Sequence, residues 1–184
     1  MNKIILGKLE VFKEAMAACP ELVYVGEKSL REKSQEVELA EGLEIAEKLK
    51  SVLLRFRKVT DLGRGYAAPQ IEINKAVFVT YVGDTFQTYI NPKILEKSES
   101  KNFYRELCMS SGIMSADVKR SEKIKLGWTD ENGARQTQDF DSFQARLLQH
   151  EYDHLLGIVN LDCCVPGSIE FVIKNPLEEK LRSE

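Results

Sequence analysis

The chain has 184 residues, of which 43% are apolar and 30% are charged, a composition typical of a globular protein that buries its own core. The formal charge of -3 and the pI near 5.6 exclude a broad nucleic-acid footprint, because phosphate binding requires clustered lysine and arginine. No apolar run is long enough to span a membrane, and the N-terminus has no signal-peptide or transit-peptide pattern. We therefore expect a cytoplasmic protein that binds neither DNA nor membranes.

The first 19 residues form a loosely amphipathic segment that Pro20 ends. We expect residues 1–19 to be a helical N-terminal extension and residues 20–184 to form a single catalytic domain. Within that domain, leucine and other apolar residues recur at spacings of three and four over residues 38–59, which predicts a long amphipathic helix.

A glycine-containing loop follows at residues 60–65, and β-rich runs then occupy the middle of the chain. The predicted strands are residues 76–81, 87–90, 124–128 and 135–140, with hairpin turns at Gly83-Asp84 and Asn132-Gly133. Strands flanked by one helix before them and another after them predict an α+β domain. The tail after Pro166 mixes apolar residues with charges of both signs and indicates no particular structure.

The only two histidines of the chain, His150 and His154, lie four residues apart in an HExxH motif. Phe143, Leu147 and the two histidines follow one another at spacings of four, three and four, which predicts a helix. On one helix face both imidazoles can bind the same metal ion, with Glu151 beside it. The alternative interpretation is a pair of core histidines that backbone carbonyls satisfy.

A metal held by two histidines requires at least one more protein ligand, and a third histidine is absent from the sequence. Cys108 lies at the end of a predicted strand, where Glu106 and Cys108 share one face. Two histidines and one cysteine leave the fourth position to water, which is the arrangement of a catalytic centre. The other cysteines, which we interpret as structural or incidental, are Cys19, Cys163 and Cys164.

Three segments, in this order, resemble the three signatures of the peptide deformylases: Gly63-Arg64-Gly65-Tyr66-Ala67-Ala68-Pro69-Gln70, Glu106-Leu107-Cys108-Met109-Ser110 and Gln149-His150-Glu151-Tyr152-Asp153-His154. The resemblance covers roughly residues 20–162. It implies an antiparallel, partly rolled β framework around one central helix that carries both histidines. It also implies an activity, the removal of formate from the N-formylmethionine of new polypeptides.

Residue chemistry assigns roles that agree with this resemblance. Glu151 takes a proton from the attacking water and returns it to the leaving amine. The side-chain amide of Gln70 and the backbone N–H of Met109 can donate to the oxyanion, although Gln70 in isolation would be interpreted as a surface amide. The substrate-binding residues that we expect, through strand pairing at the glycine loop and from the neighbouring strand, are Gly63, Arg64, Gly65 and Leu107.

The cofactor expected from the resemblance is one ferrous ion, although the ligand set of Cys108, His150 and His154 would also suit zinc, with nickel and cobalt as further alternatives. We expect a monomer whose substrates are N-formylated peptides and nascent chains that emerge from the ribosome. Glu106 and Arg120 are predicted to form an ion pair beside the metal, because an anion near a thiolate requires a compensating cation.

The chain departs from the family pattern at four places, where the family usually has Leu, Gly, a Val-Pro-Gly-like turn and Arg: Tyr66, Leu107, residues 111–113 and Ser115. We expect these departures on the substrate side, where they would weaken activity. Strand alternation should point Leu107 away from the metal, and a positive φ at this position would strain it.

Three functions agree with these features. The first is an active deformylase, and the second is a metal-dependent amidohydrolase of the same fold with a shifted N-acyl substrate. The third is a non-catalytic protein that keeps the metal for stability, against which the presence of Glu151 and Gln70 argues.

Overall fold

The computed structural model describes residues 3–171 and 182–183. Within these residues there are three α-helices: α1 (Lys3–Ala18), α2 (Leu39–Thr60) and α3 (Ser142–Leu155). The strands of the same described residues are β1 (Gly65–Ala67), β2 (Val77–Val82), β3 (Thr85–Lys97), β4 (Lys101–Leu107), β5 (Met114–Ser121), β6 (Lys123–Thr129), β7 (Arg135–Asp141), β8 (Glu170–Phe171) and β9 (Arg182–Ser183). None of the described helices is both long enough and apolar enough to cross a bilayer.

The strands form two antiparallel sheets, one with the order β1-β2-β3-β6-β7 and the other with the order β8-β5-β4-β9. Helix α3 contacts β1, β2, β6 and β7 of the first sheet and β5 of the second. One helix therefore lies against both sheets, and the predicted α+β class with a central helix in an antiparallel framework is confirmed.

Helix α2 follows its predicted amphipathic stripe closely, beginning at Leu39 and ending at Thr60. Leu49 and Leu53 of its apolar face are fully buried in a core cluster with Val77 and Val79 of β2. The alternation of apolar residues in β2 turns these two valines toward the helix, so the glycine loop that follows α2 is attached to a rigid pair of elements.

A row of aromatic rings supports α3 from the five-stranded sheet. Phe78 stacks on Tyr89 with ring centroids 4.6 Å apart, and Tyr89 lies 5.2 Å from Trp128. Leu148 and Leu155 of α3 are buried in the same cluster. Because the rings and the leucines share one core, they fix the rotation of α3 and hence the direction of its other face.

Helix α1 occupies the segment in which a helical extension was expected, and it packs on α2. Ala15 and Cys19 are buried in the same cluster as Leu53, and Cys19 Sγ lies 3.6 Å from the carbonyl oxygen of Val52. The division into an extension of residues 1–19 and one domain of residues 20–184 stays a prediction, and residues 172–181 and 184 of that domain lie outside the described residues.

The two predicted hairpin turns are present between β2 and β3 and between β6 and β7, with positive φ at Gly83, Asp84 and Gly133. Strand β3 is much longer than the four residues predicted, and β5 was not predicted as a strand at all. Buried Arg120 and half-buried Asp117 break the apolar pattern of β5, because their partners come from other parts of the chain.

Candidate metal centre

Helix α3 begins after Asp141 and ends where Gly157 takes a positive φ of 77°, as the sequence indicated. A side chain at Gly157 would also be excluded by contact, because an added Cβ would lie 2.6 Å from the carbonyl oxygen of Arg31. Glycine at position 157 therefore lets the chain that follows α3 pass against the end of the Lys28–Arg31 turn.

Cys108, His150 and His154 come together in the interior, with one donor atom of each within 4.8 Å of the others. Cys108 Sγ lies 3.3 Å from His154 Nε2, and the two imidazole rings meet edge to face at 5.2 Å. The helix supplies both imidazoles and the end of β4 supplies the thiol. The geometry that the spacing of four predicted is therefore present.

The donor set fits a divalent transition metal. Burial alone would raise the pKa of Cys108, but the neighbouring His154 and His150 bring it well below its ordinary value, so the ligand is a thiolate. A thiolate with two imidazoles suits zinc or ferrous iron. Within the described residues, two buried polar atoms beside this set have no hydrogen-bond partner: Glu151 Oε2 and His154 Nδ1.

Glu106 holds the first histidine in place. Its Oε2 lies 2.9 Å from His150 Nδ1, which leaves Nε2 of that ring for a metal. Arg120 donates to both oxygens of Glu106 at 2.6 and 2.9 Å, so the predicted ion pair of Glu106 and Arg120 is confirmed. Burial would raise the pKa of Glu106, but Arg120 and His150 hold it below its ordinary range.

Arg146 is a second cation on Glu106, a role that was not predicted from the sequence. Its Nη1 donates to Glu106 Oε1 at 2.6 Å and its Nη2 donates to the carbonyl oxygen of Asn102 at 3.0 Å. The signal in the sequence is an arginine inside the buried stripe of α3, next to Ala145, because such a cation must have a partner. Arg120 also donates from its Nη1 to Asp153 Oδ2 at 2.7 Å.

Glu151 points from α3 toward the glycine loop, and its side chain is 3% exposed. A Cβ at Gly65 would lie 2.3 Å from Glu151 Oε1, so only glycine lets β1 approach this carboxylate. Burial raises the pKa of Glu151 to about 7, while His150 and His154 oppose the shift. A divalent cation bound nearby would favour the ionised form further.

Gln70 is 1% exposed and lies in the Ala68–Ile71 turn, so its interpretation as a surface amide is wrong. Its Oε1 accepts from the backbone N–H of Ala67 at 2.8 Å. Its Nε2 donates to Ser110 Oγ at 3.1 Å and lies 3.7 Å from Cys108 Sγ. The amide is therefore oriented with its NH2 group toward the candidate metal site. The contact with Ser110 that helps to orient it was not predicted from the sequence.

A cleft opens beside these groups. Its walls include every residue predicted to be catalytic or to bind substrate: Gly63, Arg64, Gly65, Gln70, Leu107, Met109 and Glu151. Apolar side chains complete the walls: Phe56, Leu62, Phe143 and Leu147.

Three of the departures from the family pattern lie elsewhere than expected. Tyr66 is fully buried in the α2 core and Ser115 is 1% exposed, and the cleft is lined by neither of them. Ser111 is also buried, where its Oγ lies 2.6 Å from Asn160 Oδ1. The expectation that these residues face the substrate is wrong, because motif position does not reveal which way a side chain points.

Leu107 lines the cleft together with Cys108, and the direction expected for its side chain, away from the metal, stays a prediction. Leu107 is not among the residues with positive φ, so the backbone strain considered for a leucine at this position is absent.

Strand β1 is an edge strand of its sheet. The carbonyl oxygen of Arg64 accepts from Tyr81 N–H at 2.7 Å, and Gly65 is the next residue, paired in register with Thr80. Antiparallel pairs alternate between hydrogen-bonded and non-hydrogen-bonded, so the backbone groups of Gly65 point away from β2 and toward the cleft.

Comparisons with known proteins agree with this arrangement. The profile of the family described as polypeptide deformylase matches residues 19–168. The chain is 37% identical to a peptide deformylase of Pseudothermotoga lettingae, over 86% of this chain and 90% of that protein. It is 38% identical to a peptide deformylase of Treponema pallidum subsp. pallidum, over 77% of this chain and 86% of that protein.

Solved structures give the same result at the level of the fold. A peptide deformylase of Synechococcus elongatus, crystallised in complex with actinonin, superposes with a TM-score of 0.71 at 32% identity, over 79% of each chain. The peptide deformylase of Thermotoga maritima superposes with a TM-score of 0.71 at 29% identity, over 79% of this chain and 97% of that one.

Proposed function

The chain belongs to the polypeptide deformylase family, and from that premise we propose how its residues carry out the reaction. It is a metal-dependent hydrolase that removes the formyl group from the N-formylmethionine of nascent polypeptides. The observation that carries the proposal is the buried set of Cys108, His150 and His154 with the carboxylate of Glu151 beside it.

Cys108, His150 and His154 would hold one divalent ion, which we propose to be ferrous iron in the cell, with zinc, nickel and cobalt as ions that the same donors accept. When bound, such an ion lowers the pKa of a water molecule and polarises a carbonyl group. Glu106 orients His150 through its 2.9 Å contact, and Arg120 and Arg146 compensate the charge of Glu106.

Glu151 is the proton carrier in this proposal. It accepts the proton of the attacking water and then donates it to the amine that leaves with the peptide. It follows the proposed ligand His150 directly on α3, and this position beside the candidate metal site supports the role. The buried surroundings exclude bulk water, which would otherwise compete for the carboxylate.

Gln70 and Met109 stabilise the oxyanion that forms when water attacks the formyl carbon. The NH2 group of Gln70 is held toward the metal site by the contacts of its Oε1 and Nε2, so little reorganisation is required during the reaction. The backbone N–H of Met109, one residue after the ligand Cys108, supplies the second donor.

The peptide binds as an added strand on β1. The outward backbone groups of Gly65 offer one donor and one acceptor to the substrate backbone, and Gly63 and Arg64 continue the same edge. The apolar walls of the cleft at Phe143 and Leu147 suit an uncharged methionine side chain. We further propose that the protein acts as a monomer in the cytoplasm, on chains that emerge from the ribosome, because that is where formylated N-termini arise.

The test is a formate-release assay on protein that is prepared without oxygen and loaded with iron or nickel. Formyl-methionyl-alanyl-serine should release formate, whereas its acetyl analogue should release little acetate. Release of another acyl group without formate would instead support an amidohydrolase with a shifted substrate. Leu107, which lines the cleft at a position where the family usually has glycine, is the feature that favours this second candidate.

A further inference from the structure

Arg64 is a charged residue of the cleft that the reaction described above does not require. It stands between Gly63 and Gly65 on the cleft wall, and its side chain is half-buried. Across residues 3–171 and 182–183, its guanidinium has no hydrogen-bond or ion-pair partner. An arginine that is placed at a binding cleft without a partner is available to a ligand.

The other charged groups of the cleft are already engaged. The two remaining arginines on its walls are held by carboxylates, Arg105 by Asp117 and Glu170, and Arg146 by Glu106. The carboxylate of Glu151 faces the metal site and Gly65 rather than the rim. The rim therefore carries a positive charge that no described carboxylate compensates.

The backbone that carries Arg64 is fixed on both sides. Its carbonyl oxygen accepts from Tyr81 N–H at 2.7 Å, and the preceding carbonyl of Gly63 accepts from Arg57 Nη1 at 2.6 Å. The guanidinium of Arg57 in turn lies 4.8 Å from the ring centroid of Tyr81. Because the loop is held in this way, the direction in which Arg64 leaves the backbone is set before substrate binds.

We propose that Arg64 selects formylated peptides with an acidic residue immediately after the formylmethionine, and this inference rests on the proposed function. The formyl carbon must lie beside Glu151, which faces Gly65. A peptide that pairs antiparallel with β1 then passes Arg64 with its second residue. Opposed residues of an antiparallel pair project on the same face, so a carboxylate at position two meets the guanidinium in a charge-assisted hydrogen bond.

The preference acts on binding rather than on chemistry. The contact is remote from the formyl carbon and is the same in the ground state and the transition state, so it lowers KM and leaves kcat unchanged. Because the pair is partly exposed to solvent, the gain over a neutral residue is roughly threefold to fivefold and decreases with added salt.

The experiment compares three C-terminal amides, formyl-Met-Glu-Ala, formyl-Met-Gln-Ala and formyl-Met-Lys-Ala, so that no terminal carboxylate can reach Arg64. They are assayed on the metal-loaded wild type, Arg64→Gln and Arg64→Glu. Arg135→Gln is the matched control, because Arg135 is exposed on β7, at the opposite edge of the same sheet. This control removes one positive charge without altering the cleft.

The wild type and Arg135→Gln should prefer Glu over Gln over Lys in kcat/KM, with the difference in KM. Arg64→Gln should make the three peptides equal, and Arg64→Glu should reverse the order. Equal KM values of the wild type for the three peptides would overturn the assignment of Arg64, and so would an unchanged order of preference in Arg64→Gln. In both cases formate would still be released, so a failure of this assignment can be distinguished from a failure of the proposed function.

Recognition can also be measured without turnover. Isothermal titration with the product amides Met-Glu-Ala and Met-Lys-Ala should show tighter binding of the first to the metal-loaded wild type and equal binding to Arg64→Gln. Equal affinity of both amides for the wild type contradicts the proposal, whether or not the protein releases formate.

Discussion

The two faces of α3 are built on different principles. One face packs Ala145, Leu148 and Leu155 against the aromatic row of the five-stranded sheet. The other face carries His150 and Glu151 into a polar interior in which the side chain of Glu106 is 5% exposed and receives three buried cationic or imidazole contacts.

The stability that an apolar face contributes depends mainly on the volume of its side chains, because dispersion and hydrophobic burial are not directional. The stability of a buried polar face depends on individual hydrogen-bonding atoms, since removal of one partner leaves a buried charge without compensation. Removal of one polar partner from the metal-binding face of α3 should therefore weaken metal binding, whereas a cavity in the apolar face should lower stability alone.

The largest effect is expected from Glu151→Ala. The variant should keep its metal and its affinity for peptide but lose about 10²- to 10⁴-fold in kcat, because it lacks the proton carrier. Metal analysis and steady-state formate release on the same preparation make the measurement. Turnover close to that of the wild type would mean that another group moves the proton.

The two faces can be compared directly with Glu106→Ala and Leu148→Ala. Both should destabilise the protein by about 2–5 kcal/mol, the first by leaving Arg120 and Arg146 buried without a carboxylate and the second by creating a cavity. Denaturant unfolding of both variants measures this loss.

The variants Glu106→Ala and Leu148→Ala should differ in their affinity for metal. Glu106→Ala should bind metal about 10- to 100-fold more weakly, because His150 loses its orienting partner. Leu148→Ala should bind as the wild type does. A similar loss of metal affinity in both variants would show that the effect comes from general destabilisation.

Gln70→Ala should lower kcat by about 100- to 1000-fold, through the loss of one oxyanion donor. Ser110→Ala removes only the hydroxyl that accepts from Gln70 Nε2 at 3.1 Å, so its loss should be smaller. Formate release with saturating peptide measures both. An equal loss in the two variants would indicate that the hydroxyl, rather than the amide, carries the effect.

The smallest effect is expected from Leu107→Gly. It opens the cleft wall without touching a ligand, so kcat/KM for formyl peptides should rise a few-fold, mainly through KM. Ser115→Arg should not improve activity, because Ser115 is buried opposite Leu107 in the β4–β5 pair. An increase of kcat/KM in Ser115→Arg would indicate that this position does face the substrate.

The periodicity of apolar residues was sufficient to predict the two long helices of the catalytic domain. The apolar stripe of α2 and the motif of α3 gave bounds within a residue or two, because helical period and burial coincide there. Strand β5 was missed because Arg120 is buried by Glu106 and Asp153, which are distant in sequence. When its partners are not evident from the local sequence, a charged residue is interpreted as exposed.

The same distinction applies to the site. The spacing of His150 and His154, with Cys108 chosen from its predicted strand end and from the deformylase resemblance, predicted the three donors that the fold brings together. The roles of Arg146 and Ser110 could not be predicted, since each depends on a partner forty residues away. The misplaced Ser115 shows that a family motif gives position along the chain but not orientation.

The most direct test of the central claim is the metal content of anaerobically purified protein. The wild type should contain one divalent ion per chain, and Cys108→Ala, His150→Ala and His154→Ala should each contain almost none. Cys163→Ala is the matched control, because this exposed thiol is not one of the three donors and its loss should leave metal content unchanged. An undiminished metal content in Cys108→Ala would contradict the proposed centre.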